Sequence, residues 1–100
     1  MQSVTNEFLP NTKMDNNEEN NLDEVIDDKD IVLQAYRVTM KLSENKMISY
    51  QYLQNVWKIR DRLLDNHSIT KRDLLYLKEC SLLSNENNLF FGKTYKALQE

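Results

Sequence analysis

The chain has 100 residues, a formal net charge of −3, and one each of glycine, proline, cysteine and histidine. That length allows at most one small domain. A single glycine is too few for the turns of a sandwich or barrel or for a phosphate-cradling loop, and lone Cys and His residues exclude a disulfide framework and the usual zinc sets.

The longest uninterrupted apolar run, Leu74-Leu75-Tyr76-Leu77, is far too short to span a bilayer, and the N-terminus lacks the basic start and apolar stretch of a secretory signal. The expectation is a soluble, intracellular, all-α protein of the nucleus or the cytoplasm, without cofactor or metal.

Charge is unevenly distributed along the chain. Residues 1–30 carry two lysines, Lys13 and Lys29, against nine acids, a balance of 2 − 9 = −7. Residues 31–100 carry eleven Lys/Arg against seven Asp/Glu, a balance of 11 − 7 = +4. The first 22 residues hold the only proline and five asparagines between Asn11 and Asn21. Too few apolar groups are available there to offset a backbone entropy of roughly 1–2 kcal/mol per residue. Residues 1–22 therefore read as a disordered acidic tail ahead of a helical body over residues 23–100. Such a tail either aids solubility or folds onto a basic partner or onto its own basic body. The apolar island Leu22, Val25 and Ile26 has the spacing of one helical turn and reads as an N-terminal extension of the first helix.

Three to four helices follow. The first is expected over about residues 28–42, with Asp28 or Asp30 as its cap. Ile31, Ala35, Val38 and Leu42 form a 4-3-4 seam of coiled-coil type, widened by Val32 and Tyr36. Ser43-Glu44-Asn45-Lys46 interrupts the pattern, and Ser43 or Ser49 is the next candidate cap. A second helix over about 49–65 repeats the seam with Tyr52, Val56, Ile59 and Leu63, flanked by Leu53, Trp57 and Leu64. The third, about 70–83, opens on the clearest local signal in the chain: Thr70 as N-cap with Asp73 three residues on. Its apolar residues, Leu74, Leu75, Leu77, Cys80, Leu82 and Leu83, cover a wide arc, which predicts a central helix or a second face for a partner. A fourth helix over about 89–98 carries Phe91, Tyr95 and Leu98 on one stripe, interrupted by Gly92 at a cost of ~1 kcal/mol relative to Ala.

No convergent catalytic set is present in this pattern. His67 and Ser68 are neighbours in a turn and do not face each other as base and nucleophile. Cys80 falls on the apolar side of the third helix, where a cysteine packs as a small hydrophobe. Asp23, Asp27, Asp28 and Asp30 lack the glycine and terminal glutamate of a calcium loop. A membrane-surface role is disfavoured by the acidic tail, which anionic lipid repels.

Lys58, Arg60, Arg62, Lys71 and Arg72 flank the turn between the second and third helices, as in a helix-turn-helix reader of DNA. Against this, Asp61, Asp65 and Asp73 are interspersed, and the third helix turns apolar just where a reader needs polar side chains.

The stretch Thr70-Lys71-Arg72-Asp73-Leu74-Leu75-Tyr76 is similar to the T-K-R-D-x-x-Y stretch of the topoisomerase VI A subunit and its meiotic break-making relatives. The resemblance implies a helix-turn-helix that presents Tyr76 to DNA as a nucleophile, with Arg72 beside it. It covers seven residues of 100, Leu75 stands where that family usually has a second tyrosine, and the length leaves no room for the acidic metal-binding domain the reaction needs. We set it aside as coincidence.

The sequence is best read as a non-enzymatic helical interaction subunit or adaptor of a larger complex, binding another protein or itself through apolar helix faces. Candidate contact residues are Tyr36, Trp57, Leu74, Tyr76, Leu77, Leu82, Leu83 and Tyr95, chosen as aromatic anchors or as apolar surface in excess of what the fourth helix covers. The alternative is a helix-turn-helix DNA-binding protein with an acidic regulatory tail, using Lys58, Arg60, Arg62, Lys71 and Arg72.

Overall fold

A computed structural model of the protein describes residues 22–99; the expected tail, apart from Leu22, lies outside the described residues. The first element is a strand rather than a helical extension: β1 (Val25–Ile26) pairs antiparallel with β2 (Ile69–Thr70), Val25 opposite Thr70 and Ile26 opposite Ile69. The Lys71 amide extends the pairing by donating to the Glu24 carbonyl at 3.0 Å. β-branched side chains and an isoleucine-to-isoleucine register suit this bridge. A helix cannot run back through it, because the Asp28 carboxylate caps the next element from a non-helical backbone.

That element, α1 (Lys29–Glu44), runs two residues beyond the expected end. Asp28 accepts from the Asp30 and Ile31 amides at 2.9 and 3.2 Å. Ile31, Ala35, Val38, Thr39 and Leu42 are buried. Ser43 is inside the helix, its hydroxyl turned back on the Thr39 carbonyl, and Asn45 ends it. The Asn45 side chain also donates to the Ser84 carbonyl and to Glu86, which ties this end of α1 to the far end of the third helix.

Asp28 titrates below its ordinary value of 3.8, chiefly because it accepts from the Ile31 amide, with Lys93 adding hydrogen-bonding and charge. A lowered folded value means the carboxylate stabilises the fold above pH 3.8, and that contribution fades as pH falls through the lowered value. Asp28→Asn keeps a capping oxygen and removes the charge. The difference in urea midpoint between wild type and Asp28→Asn is therefore expected to be full at pH 6 and to shrink as pH falls below 3.8 and through the lowered value. A difference independent of pH would assign the effect to capping geometry alone.

Helix α2 (Tyr50–Asn66) follows Ser49 and buries Val56, Ile59 and Leu63. It closes at His67, whose φ of 55° is left-handed and whose amide donates to the Leu63 carbonyl. Helix α3 (Lys71–Leu83) starts where the sequence placed its cap: the Asp73 amide donates to Thr70 Oγ1 at 3.1 Å. Thr70→Ala is expected to cost about 0.5–2 kcal/mol in urea unfolding; no loss would mean that the β2 backbone alone holds the start of α3. Helix α3 is central, packing against α1, α2 and the last helix. Its buried Ser81 hydroxyl, and that of Ser84 just beyond it, donate to the Leu77 and Cys80 carbonyls one turn earlier, so neither is buried unpartnered.

The C-terminal segment departs from expectation. Residues 87–89 form a 3₁₀ turn, and α4 begins only at Gly92 and ends at Gln99. Gly92 therefore starts the helix instead of interrupting it, at φ 60°, a left-handed value that an L side chain adopts with strain. The inward face of α4 is also a different one. Phe91 and Tyr95 are exposed, while Phe90 and Thr94 are buried and Ala97 and Leu98 pack on the core. The two heptad seams meet in a single intramolecular core with Leu74, Leu77 and Cys80 of α3.

Candidate interaction surface

The residues singled out for partner contact divide into three groups. Leu74 and Leu77 are completely buried. They are core residues with no exposed surface, because the α3 arc is covered by α1 and α4 as well as α2. Trp57 and Tyr76 are half-buried and already engaged. The Trp57 indole donates to Ser43 Oγ at 3.1 Å and stands edge-on to Tyr50, with centroids 5.9 Å apart. The Tyr76 hydroxyl accepts from Asn55 at 2.9 Å, and its ring lies 6.0 Å from that of Tyr52. Burial pushes the Tyr76 phenol above its usual value of 10.0, the reverse of what a nucleophile needs. Tyr36, Leu82, Leu83 and Tyr95 keep exposed surface. Lys78 lies over the Tyr95 ring at 5.3 Å and the Phe90 ring at 5.5 Å, which fixes that aromatic pair against α3.

The basic cluster does not form one face. Lys58, Arg62 and Arg72 line a groove of about 450 Å³ between α2 and α3, together with Tyr76. Arg62 is bonded there to Asp73, and Arg72 to Asp23 at 3.1 Å. Arg60 lies outside that groove, 3.9 Å from Asp61. Lys71, expected as a DNA contact, is only 8% exposed, held in by its position directly after β2. Among the described residues Lys58 is the groove cation with no carboxylate within ion-pair distance. Among those residues, too, no three His, Cys, Asp or Glu side chains are grouped to hold a metal, and no helix is long and apolar enough to cross a membrane.

A second groove, of about 370 Å³, lies between α1 and α2. Val32, Leu33 and Tyr36 come from α1, and Leu63 and Leu64 from α2. The two helices are antiparallel: Leu33 and Leu64 share this groove near one end, while Ser43 and Trp57 meet farther along. Lys29 and His67 stand at the groove's end, where α1 begins and α2 stops. Leu33 is 49% and Leu64 54% exposed, so the lips are apolar and open to solvent. Sequence reasoning finds Tyr36 here and names neither Leu33 nor Leu64 as a contact residue. The available signal is an apolar residue beside each stripe, Leu33 next to Val32, which widens the first seam, and Leu64 next to Leu63 of the second; only the antiparallel packing puts both on one groove. Compared with family models, with curated proteins and with solved structures, the chain finds no match.

Proposed function

We propose that the chain is a non-enzymatic interaction module that engages another protein through the groove between α1 and α2. The supporting observation is the exposure of Leu33 and Leu64 on either side of a trough floored by Val32, Tyr36 and Leu63. Large aliphatic side chains half open to water across one apolar groove are what a partner's side chains cover, with a gain of about 25 cal/mol per Å² of apolar area. Two antiparallel helices with such a trough accept a third helix along it.

The test compares proteins captured from a nuclease-treated cell extract by the wild type, by Leu33→Asp/Leu64→Asp and by Leu82→Asp. The double variant is expected to lose its associations more than tenfold while keeping its circular-dichroism melt, and Leu82→Asp to retain them. Capture that survives in the double variant refutes the assignment of the groove. Capture that disappears on nuclease treatment shifts the function to nucleic-acid binding.

A further inference from the structure

The ionisable groups of the same groove define its occupant more closely. We infer that it takes an amphipathic helix whose apolar stripe is edged by carboxylates; this rests on the interaction reading above.

The charges at the groove are one-sided. The basic residues that line it are Lys29 and His67, and no carboxylate does. The exposed row of α1 that carries Leu33 continues at one-turn spacing with Arg37 and Lys41. On α2, Arg60 and Asp61 both stand one turn before Leu64 and pair with each other, so they add no net charge to that lip. Of the other acids near in sequence, Asp30 faces Lys93 at 3.3 Å, which leaves Asp65 beside Leu64 and Glu44 at the far end of α1, against Lys29, Arg37 and Lys41. An apolar trough with cations along one lip and at its end favours Glu or Asp flanking the incoming stripe and disfavours Lys or Arg. A second copy of this chain is a poorer occupant, since a self-complementary contact would bring the same cations to the same seam.

Three fluorescent 14-residue peptides test this against the full-length chain. They share one leucine stripe on an alanine helix and differ only in the flanking residues: four Glu, four Gln or four Lys. The expected order of affinity is Glu, then Gln, then Lys, with Glu about three- to tenfold tighter than Gln, as two exposed ion pairs allow. Raising the salt from 50 to 500 mM is expected to narrow that gap. Lys29→Glu/Arg37→Glu is expected to reverse the order while Leu33→Asp abolishes binding of all three. Equal affinity for the three peptides overturns this inference and leaves the interaction reading standing. Binding of none overturns both. If light scattering finds concentration-dependent self-association that Leu33→Asp removes, the groove belongs to a second copy, and the inference is wrong. It is equally wrong if none of the peptides binds and Leu33→Asp shifts the amide signals of residues 1–21, which assigns the groove to the chain's own N-terminal segment.

Discussion

Leu77→Ala is expected to destabilise the fold by about 2–5 kcal/mol, read as a fall in the urea midpoint at unchanged slope. Leu77 has no exposed surface and sits midway along α3, the helix in contact with α1, α2 and α4. Truncation there removes apolar contacts on several sides at once, and the surrounding helices cannot all move inward to close the gap. For a domain of this size, with a total stability of about 5–15 kcal/mol, that is anywhere from about an eighth of the whole to all of it. Leu82→Ala, five residues farther on at a position 52% exposed, is expected to stay within about 0.5 kcal/mol of wild type. Equal costs at the two positions would mean that α3 is rotated relative to the packing described here.

This contrast separates what the residues make legible from what they do not. Both seams, and the Thr70-x-x-Asp73 cap, are local signals: they need only helical periodicity and a hydroxyl three residues before an amide. The arc of α3 is a different kind of signal. Leu74, Leu75, Leu77, Leu82 and Leu83 have similar apolar character, and nothing local says which are covered. Burial of Leu74 and Leu77 beside exposure of Leu82 and Leu83 is decided by where α1, α2 and α4 lie.

The β-bridge is hidden for the same reason. Val25 and Ile26 have helical spacing with Leu22, and their partners are more than forty residues away. In the last segment, propensity alone makes Gly92 an interruption within a helix, whereas its left-handed φ makes it the point at which the helix begins. Once the start moves, the stripe moves with it, from Phe91 and Tyr95 to Thr94, Ala97 and Leu98. The groove itself is legible only in three dimensions, since Leu33 and Leu64 belong to different helices and come together through an antiparallel turn. Arg62 and Arg72 illustrate the opposite hazard. They read as a basic cluster in sequence, and the fold sets a carboxylate against each.

Cys80 provides a second measurement of the same core. It is fully buried, and burial pushes its thiol from 9.0 up to about 11, with Glu79 adding to the shift. The reactive species is the thiolate, so at pH 8 a two-unit rise alone cuts the reactive fraction about 100-fold. Exclusion of the reagent from the core cuts it further. Labelling of the native chain by a disulfide reagent is therefore expected to run at least about 100-fold slower than labelling of the urea-unfolded chain. Rapid stoichiometric labelling without denaturant would place Cys80 at the surface and overturn the packing of α3. When reaction proceeds through transient opening that recloses faster than it is trapped, the rate reports the opening equilibrium. Leu77→Ala should then accelerate it by about 30- to 5,000-fold, the factor that corresponds to 2–5 kcal/mol, while Leu82→Ala leaves it unchanged. An acceleration matching the urea result means that Cys80 is exposed only by unfolding of the whole helical body. A rate insensitive to Leu77→Ala, with the urea midpoint still lowered, means instead that it is reached by a local opening around α4, the shortest helix, which leaves the seams of α1 and α2 packed.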